Sequence, residues 1–195
     1  QEIRKRNIAT IAGNHDEAIG NMVNTQKEID VSVLNNGSIS KEFTNQLLTE
    51  DNRLFLQTLP RDIRLEFKFN TETIIVLLVH GSPNSINEYL FEERPKNELI
   101  EMMNASNADI LCFGHTHKPF HKILDIQTNG IINYKHAINI GSVGKPKDNN
   151  PQGCYVILEL NKPTSMLDKK SIDIEFIRFD YNIEKATKAI EDSIL

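Results

Sequence analysis

Residues 110–117 read Ile-Leu-Cys-Phe-Gly-His-Thr-His, an apolar run that passes directly into a glycine and two histidines. Four consecutive apolar residues, without alternating polar side chains, indicate a strand that is covered on both faces of a sheet. Side chains at the end of a buried strand are held in fixed directions, as binding and catalytic groups must be. The stretch therefore predicts a central strand over residues 110–113 that presents His115 and His117 at one edge of the sheet.

The same arrangement occurs twice more along the chain. Ile74–Val79 is continuously apolar and is followed by His80-Gly81, while the strand-like run Ile8–Ala12 is followed by Gly13-Asn14-His15-Asp16, which predicts a polar turn. In α/β proteins, ligands bind at loops that follow the carboxyl ends of sheet strands. The three strands are therefore predicted to bring their three loops to one site.

The other patterns favour helices and strands in alternation, followed by a half that is rich in strands. Ser40 is predicted to cap a helix that ends before Pro60, Pro95 to open a second helix, and residues 182–194 to form a third. The pair Asn129-Gly130 predicts a hairpin turn. Further strands are predicted at residues 63–69, 120–126, 131–134, 137–140, 155–160 and 172–179. This order predicts an α/β fold in which two packed sheets lie between helical layers.

The composition limits the classes of function. A chain of 195 residues can bury one substantial core, and a formal net charge of −5 with scattered lysines does not predict a groove for polymeric nucleic acid. The longest apolar run is far shorter than the ~20 residues of a membrane span, and residues 1–7 do not resemble a signal peptide. A cytoplasmic location without membrane contact is therefore predicted. Cys112 and Cys154 are predicted to be reduced core residues.

The histidine pair predicts a metal site. In an extended segment, side chains two residues apart point to the same side, so His115 and His117 are expected to converge while Thr116 points away. Imidazoles combined with an amide oxygen suit divalent ions such as manganese, iron or zinc. Taken alone, His80-Gly81 is more often a turn with a capped imidazole and Asn14-His15-Asp16 more often only a turn, whereas His115-Thr116-His117 is evenly balanced between the two interpretations. His121 and His136 are interpreted as ordinary polar or partly buried histidines. The recurrence of the pattern after three strands favours the metal site.

The three loops resemble, in order and spacing, the last three of the five signature blocks of the calcineurin-like metallophosphoesterases. The stretches Val79–Pro83, Glu88–Phe91 and Asn139–Pro146 are similar to the small prokaryotic phosphodiesterase branch of that superfamily. The resemblance runs from about residue 7 to about residue 160. It implies a four-layer αββα sandwich of two mixed sheets flanked by helices. It also implies metal-dependent hydrolysis of a phosphate ester, in the first place a phosphodiester, by a hydroxide that two metal ions activate.

The resemblance implies a role for each residue of the site. The side chains similar to ligands of the family's second metal are Asn14, His80 and His115. His117 is similar to a ligand of its first metal. His15 would protonate the leaving oxygen as a general acid. Asp16 would orient His15 by accepting its other ring proton. The implied metals are two divalent ions, from among manganese, iron, zinc and nickel.

Two signature blocks of the family, an Asp-x-His and a Gly-Asp-x-x-Asp, do not occur in this sequence. They supply three ligands of the first metal, and Asp109, Asp125 and Asp148 are not placed to replace them. The chain is therefore interpreted as a single metallophosphoesterase domain over residues 1–195 without its amino-terminal strands. It is expected to hold one divalent ion or fewer, and to have weak or absent activity. The sheet edge left by the missing strands predicts association into a homo-oligomer.

Two alternatives share this fold. A non-catalytic scaffold that binds proteins would use exposed apolar residues around Leu90-Phe91, although the presence of His15 favours catalytic ancestry because scaffolding members tend to lose that residue. A phosphoserine or phosphothreonine monoesterase would need the same metals as a phosphodiesterase. It would differ in the access and charge around the site.

Overall fold

A computed structural model of the chain describes residues 2–23, 36–69, 72–161 and 164–193, except for the side chain of Asn36. The chain divides into two compact units. The first unit comprises Gln1–Pro60 with Tyr181–Leu195 and is called the helical unit below, and the second comprises Arg61–Asp180 and is called the sheet unit.

Six helices and seven strands are formed by the described residues. The helices are α1 (Glu2–Lys5), α2 (Asn14–Gly20), α3 (Asn36–Leu47), α4 (Glu50–Thr58), α5 (Lys96–Ala105) and α6 (Ile183–Glu191). The strands are β1 (Asp62–Lys68), β2 (Thr73–Val79), β3 (Ile110–Phe113), β4 (Phe120–Thr128), β5 (Ile131–Asn139), β6 (Gly153–Leu160) and β7 (Ile172–Phe179).

In the helical unit, α2 packs against α3 and α4. The buried guanidinium of Arg53 joins these helices, because it donates hydrogen bonds to the backbone carbonyls of Ile19 and Met22 at 2.8 Å each and of Asn45 at 3.1 Å. Carbonyl groups at helix carboxyl ends lack partners within their own helix. Arg53 therefore supplies the donors that the ends of α2 and α3 need.

Two predictions for the helical unit are wrong. Residues 8–12, predicted as a strand, lie outside any helix or strand, because no strand within the described ranges pairs with them. The amide of Ala12 instead donates to the carbonyl of Pro60 at 2.8 Å. Ser40 lies inside α3 and does not cap it. The helix extends upstream because it buries Ile39, which lies one turn before Phe43 and is 7% exposed.

The sheet unit is built on a five-stranded mixed sheet with the strand order β1-β2-β3-β5-β4. The central strands β2, β3 and β5 run parallel, and the outer strands β1 and β4 run antiparallel to their neighbours. All four residues of β3 are buried. Because the three central strands are parallel, their carboxyl ends lie at the same edge of the sheet.

Each face of this sheet is covered. Helix α5 contributes Leu99, Met102 and Met103 to a core with residues of β2 and β3 on one face. On the other face lies the antiparallel pair β6-β7, whose apolar side chains pack against a second core. The predicted α/β fold with two sheets flanked by helices is confirmed.

Several local predictions are also confirmed. The strands predicted at residues 110–113 and 172–179 are β3 and β7, and Pro95 precedes α5. Asn129 and Gly130, with φ of 51° and 80°, form the hairpin turn between β4 and β5. The strands predicted at residues 131–134 and 137–140 are one strand, β5. The helix predicted over residues 182–194 is α6; residue 194 lies outside the described residues.

Both cysteines are buried free thiols, as predicted. Burial raises the pKa of the Cys112 thiol to about 12. Within the described ranges, no helix has the length and apolarity that crossing a membrane requires.

Candidate metal centre

His80 and His115 follow the parallel neighbours β2 and β3. The amide of Gly114 donates to the carbonyl of His80 at 2.9 Å, which continues the pairing of the two strands beyond their ends. The two imidazoles are in contact, with Nε2 of His80 at 3.0 Å from Nδ1 of His115. His115 is 8% exposed. The loops after β2 and β3, two of the three loops predicted to share one site, therefore meet in the sheet unit.

The turn after His80 requires glycine at position 81. A Cβ on Gly81 would lie 2.6 Å from the carbonyl oxygen of Ser85, 2.7 Å from that of Ile86 and 2.9 Å from that of Glu88. The loop that follows thus wraps closely around Gly81. Ser82 closes this loop, because its hydroxyl accepts from the amide of Ser85 at 3.0 Å and donates to the carboxylate of Glu88 at 2.5 Å.

The backbone of the loop after β3 differs from the prediction. His115 and His117 have φ of 62° and 60°, which is the left-handed region, so the segment is not extended and the argument that placed both side chains on one side is wrong. Thr116, between the two histidines, is 3% exposed. A non-glycine residue in this region costs on the order of 1–2 kcal/mol. Such conformations cluster at functional sites and persist because surrounding contacts hold them.

Asn139 supplies those contacts, and the sequence analysis did not identify it as a site residue. Its side-chain amide donates to the carbonyl of Gly114 at 2.9 Å and to the hydroxyl of Thr116 at 2.8 Å, while its side-chain oxygen accepts from the amide of Gly141 at 3.0 Å. Asn139 is completely buried at the end of β5. The signal was available, because Asn139 is the one polar residue within the apolar run of residues 137–140.

His117 has its ring orientation fixed by the backbone. Its Nδ1 lies 2.6 Å from the carbonyl oxygen of Lys145, and a carbonyl can only accept, so Nδ1 carries the proton. Burial, together with the charges of Lys147 and Lys145, lowers the pKa of His117 below its ordinary value although the hydrogen bond to Lys145 opposes this shift. Neutral His117 therefore presents an unprotonated Nε2. Metal-binding histidines are commonly oriented in this way.

The aromatic ring of Tyr89 stacks on His115, with the ring centroids 4.1 Å apart. Sequence analysis missed this contact and treated Leu90-Phe91 as an exposed apolar pair. Leu90 is in fact 1% exposed and belongs to the core, whereas Tyr89 and Phe91 on either side of it are exposed. Residues 89–91, Tyr-Leu-Phe, are apolar throughout, so the sequence carries no signal that singles out Tyr89.

Asn14, His15 and Asp16 lie in the helical unit, where they form the first turn of α2 and not an isolated turn. Gly13 is the N-cap, and its amide donates to the carboxylate of Asp16 at 2.8 Å. His15 is exposed, and Asn14 and Asp16 are partly buried. An acidic side chain in the first turn stabilises a helix, so Asp16 has a structural task in α2.

The donors around His80 and His115 fit one divalent ion. When two nitrogen ligands each lie about 2.1 Å from one ion and the nitrogen–ion–nitrogen angle is a right angle, the two nitrogens are about 3.0 Å apart. Nε2 of His80 and Nδ1 of His115 have this separation. Within the described part of the chain, no three histidine, cysteine, aspartate or glutamate side chains are grouped as metal ligands. The three aspartates considered as replacement ligands have structural partners: Asp109 with Lys135, Asp125 with Lys96, and Asp148 with Arg178.

A cleft of about 280 Å³ lies beside His80 in the sheet unit. Its lining includes the guanidinium-bearing residues Arg61 and Arg64 and the hydroxyl-bearing residues Ser82 and Ser85. Guanidinium and hydroxyl groups are donors that suit phosphate oxygens.

Comparisons with known proteins agree with this geometry. The chain is 28% identical over 199 residues to "Uncharacterized protein MJ0912" of Methanocaldococcus jannaschii, an alignment that covers 96% of this chain and 71% of the archaeal protein. The crystal structure of a metallophosphoesterase from Sphaerobacter thermophilus is similar with a TM-score of 0.64 and 21% identity, over 93% of this chain and 70% of that chain.

A second crystal structure, of hypothetical protein PH1004 from Pyrococcus horikoshii OT3, gives a TM-score of 0.68 at 18% identity, over 97% of this chain and 70% of that chain. At such identities the two structures show a shared fold. Residues 1–163 match the model of the calcineurin-like phosphoesterase superfamily domain. The chain therefore belongs to the calcineurin-like phosphoesterase superfamily, and this membership supports a metal-dependent phosphoesterase in general.

Proposed function

We propose that the protein is a metal-dependent phosphodiesterase, in which His80 and His115 hold one divalent ion. The observation that carries this proposal is the 3.0 Å separation of their ring nitrogens at the ends of two parallel strands. Asn14 matches the amide ligand of the family's second metal, and His117, with its unprotonated Nε2, matches the ligand of the first metal. Manganese, iron, zinc and nickel are the ions that such donors suit. Residues 1–195 are treated as one phosphoesterase domain.

When bound, divalent ions of this kind activate water and neutralise charge on phosphoryl oxygens. The chain's own residues have separate tasks. His15 is exposed at the start of α2 and, as an imidazole, is a side chain that can act as a general acid toward a leaving oxygen. Asp16 holds the first turn of α2 through the amide of Gly13, so it fixes the backbone from which His15 projects.

We expect the activity of residues 1–195 to be weak. The two carboxylate-bearing blocks that supply most ligands of the first metal do not occur in the sequence, and Asp109, Asp125 and Asp148 are engaged in ion pairs. One imidazole alone, His117, would hold the first ion poorly. The ion held by His80 and His115 would still bind when water completes its coordination.

The metal content of the protein tests the proposal. After saturation with manganese and removal of the excess, we expect about one ion per chain by mass spectrometry. His80→Ala and His115→Ala should abolish binding, whereas His117→Ala and the matched control His121→Ala should retain it. Two ions per chain would mean that further carboxylates take part, and no ion in the unsubstituted chain would contradict the proposal.

The ester preference is tested with manganese and two chromogenic esters. Faster release of nitrophenolate from bis-p-nitrophenyl phosphate than from p-nitrophenyl phosphate, lost in His115→Ala, would support a phosphodiesterase. The reverse preference would favour the phosphomonoesterase alternative. A chain that binds no metal and hydrolyses neither ester would favour the protein-binding scaffold.

The sheet unit also supports self-association of the chain. Edge strand β1 leaves Leu65 40% and Phe67 38% exposed, and an apolar edge strand is prone to pair with another copy. Light scattering should therefore give a molar mass above that of the monomer. A monomer at all protein concentrations would contradict this expectation.

A further inference from the structure

Three rings form a continuous strip that begins at the candidate metal centre. Tyr89 lies on His115 with ring centroids 4.1 Å apart and planes at 27°, and Phe91 lies on Tyr89 with centroids 5.8 Å apart and planes at 5°. The ammonium group of Lys118 lies 5.9 Å from the centroid of Phe91, at the far end of this strip. We call His115, Tyr89 and Phe91 the aromatic strip.

The strip is held rigidly by the segment that carries it. Leu90, between the two aromatic residues, is 1% exposed in the core under β2 and β3, so Tyr89 and Phe91 point away from that core. Glu88, on the other side of Tyr89, accepts from Ser82 at 2.5 Å and from Arg94 at 3.0 Å. These contacts fix the backbone at both ends of Tyr89. The ring therefore has a defined position before any ligand arrives.

Tyr89 and Phe91, the two rings of the strip beyond His115, are more exposed than packing requires. Tyr89 is 51% and Phe91 42% exposed, although both are large and apolar and lie side by side. Adjacent exposed aromatic rings near a site are typical of ligand binding, because aromatic faces stack on planar groups. A strip with two exposed side chains is too small for a stable protein interface, which needs about 800 Å² on each partner. A small planar ligand is the occupant of matching size.

From this geometry we infer that the aromatic strip binds the planar heteroaromatic base of a nucleotide ester. The inference rests on the proposed function, since the phosphate position is taken from His80 and His115. A phosphate held there places the organic part of the ester next to Tyr89, because Tyr89 is already in contact with His115. Bases stack on tyrosine and phenylalanine without hydrogen bonds, so the strip selects the class of substrate and not a particular base.

Calorimetric titration of the manganese-loaded protein tests this inference with four probes. The probes are adenosine 5′-monophosphate, ribose 5-phosphate, adenosine and inorganic phosphate. Because base stacking on one aromatic ring is a large contribution, we expect the nucleotide to bind about tenfold more tightly than ribose 5-phosphate. Tyr89→Leu and Phe91→Leu should remove most of this difference. Phe91→Leu should also leave the affinity for inorganic phosphate unchanged, because Phe91 stacks on Tyr89 and not on His115.

Two variants control for other effects. Tyr89→Phe keeps the ring and should keep the tenfold preference. Tyr155→Leu changes a tyrosine of similar exposure, 44%, in β6, and should leave all affinities unchanged. Circular dichroism of each variant confirms that it is folded, and Phe91→Leu serves as the second test if Tyr89→Leu unfolds.

The outcomes separate this inference from the proposed function. Equal affinity for the nucleotide and ribose 5-phosphate would overturn the inference while the phosphate site stands. Binding of adenosine that depends on Tyr89, without binding of any phosphate, would support the strip and overturn the phosphoesterase proposal. The inference also falls if Tyr155→Leu weakens nucleotide binding as much as Tyr89→Leu does, or if no probe binds.

Discussion

Nε2 of His80 lies 3.0 Å from Nδ1 of His115, although 35 residues separate the two histidines in the chain. The contact exists because β2 and β3 are parallel neighbours that end at the same edge of the sheet. Two ring nitrogens at this distance form a hydrogen bond only when one carries a proton and the other does not. A metal ion between them requires both nitrogens to be unprotonated.

Zinc should therefore change the protonation of this pair. In the metal-free protein we expect one of the two nitrogens, Nε2 of His80 or Nδ1 of His115, to be protonated, and after addition of zinc we expect neither to be. Nitrogen-15 NMR of the histidine rings distinguishes protonated from unprotonated nitrogen directly. The rings of His121 and His136 serve as internal controls that should not change, and an unaltered His80–His115 pair would count against metal binding here.

Alanine at position 81 should destabilise the sheet unit. The added Cβ would meet three backbone carbonyl oxygens at 2.9 Å or less, which do not yield as a flexible side chain would. We expect Gly81→Ala to lower the free energy of unfolding by about 1–3 kcal/mol, as overpacking does. Gly144→Ala is the matched control because no atom lies within 4 Å of its added Cβ. Urea denaturation measures both, and equal effects would contradict this account of the turn.

The loss of Arg53 should destabilise the helical unit. Arg53→Met removes the guanidinium donor from the carbonyls of Ile19, Met22 and Asn45. The amide of Met22 still donates to the carbonyl of Ile19 at 3.2 Å, but a buried acceptor left unsatisfied costs about 1–3 kcal/mol. We expect a loss of about 3 kcal/mol or more in the free energy of unfolding. Arg64→Met is the control, since Arg64 also donates to two backbone carbonyls but has 32% of its side chain exposed. Its effect should be below about 1 kcal/mol. A similar loss for both variants in chemical denaturation would disagree with this prediction.

His136 should make the stability depend on pH. It is completely buried on β5, with its Nδ1 2.9 Å from Nε2 of His121. Burial and the neighbouring His121 lower the pKa of His136 from 6.5 to about 4. As the pH falls below 6.5, the unfolded chain therefore binds a proton that the folded chain does not, and stability decreases until about pH 4. At pH 5 the loss should be about 2 kcal/mol.

His136→Leu isolates this contribution from the titration of carboxylates. Urea denaturation near pH 7.5 and near pH 5, for both proteins, gives the loss of stability on acidification. That loss should be smaller in His136→Leu, because the unfolded variant no longer takes up this proton. The same loss in both proteins would assign the pH dependence to other groups.

The sequence predicted those elements whose formation depends on nearby residues. The continuously apolar β3 and the Asn129-Gly130 turn were identified because burial on both faces and positive φ leave clear patterns. Residues 8–12 were misinterpreted, since an apolar run becomes a strand only when another strand pairs with it. The start of α3 was misplaced because it depends on the burial of Ile39 by tertiary packing.

In the candidate site, too, features that depend on nearby residues were predictable and features that depend on distant contacts were not. The meeting of the loops after β2 and β3 could be expected, because their continuously apolar runs indicated central strands whose loops share one edge of the sheet, while the roles of the histidines as metal ligands stay predictions. The left-handed backbone of His115 could not be expected, since it depends on hydrogen bonds from Asn139, more than twenty residues away. The stacking of Tyr89 on His115 could not be predicted either, since it joins the loop after β2 to the loop after β3.

Strand β3 is four residues long and lies at the middle of its sheet. His115 is the second residue after its last residue, Phe113. Any ligand that joins His80 to His115 therefore fastens the ends of β2 and β3 to each other. A ligand that binds the folded sheet and not the unfolded chain therefore raises the free energy of unfolding as its concentration rises. Occupancy of the site can then be followed from the interior of the sheet, through the slowed hydrogen exchange of the β3 amides.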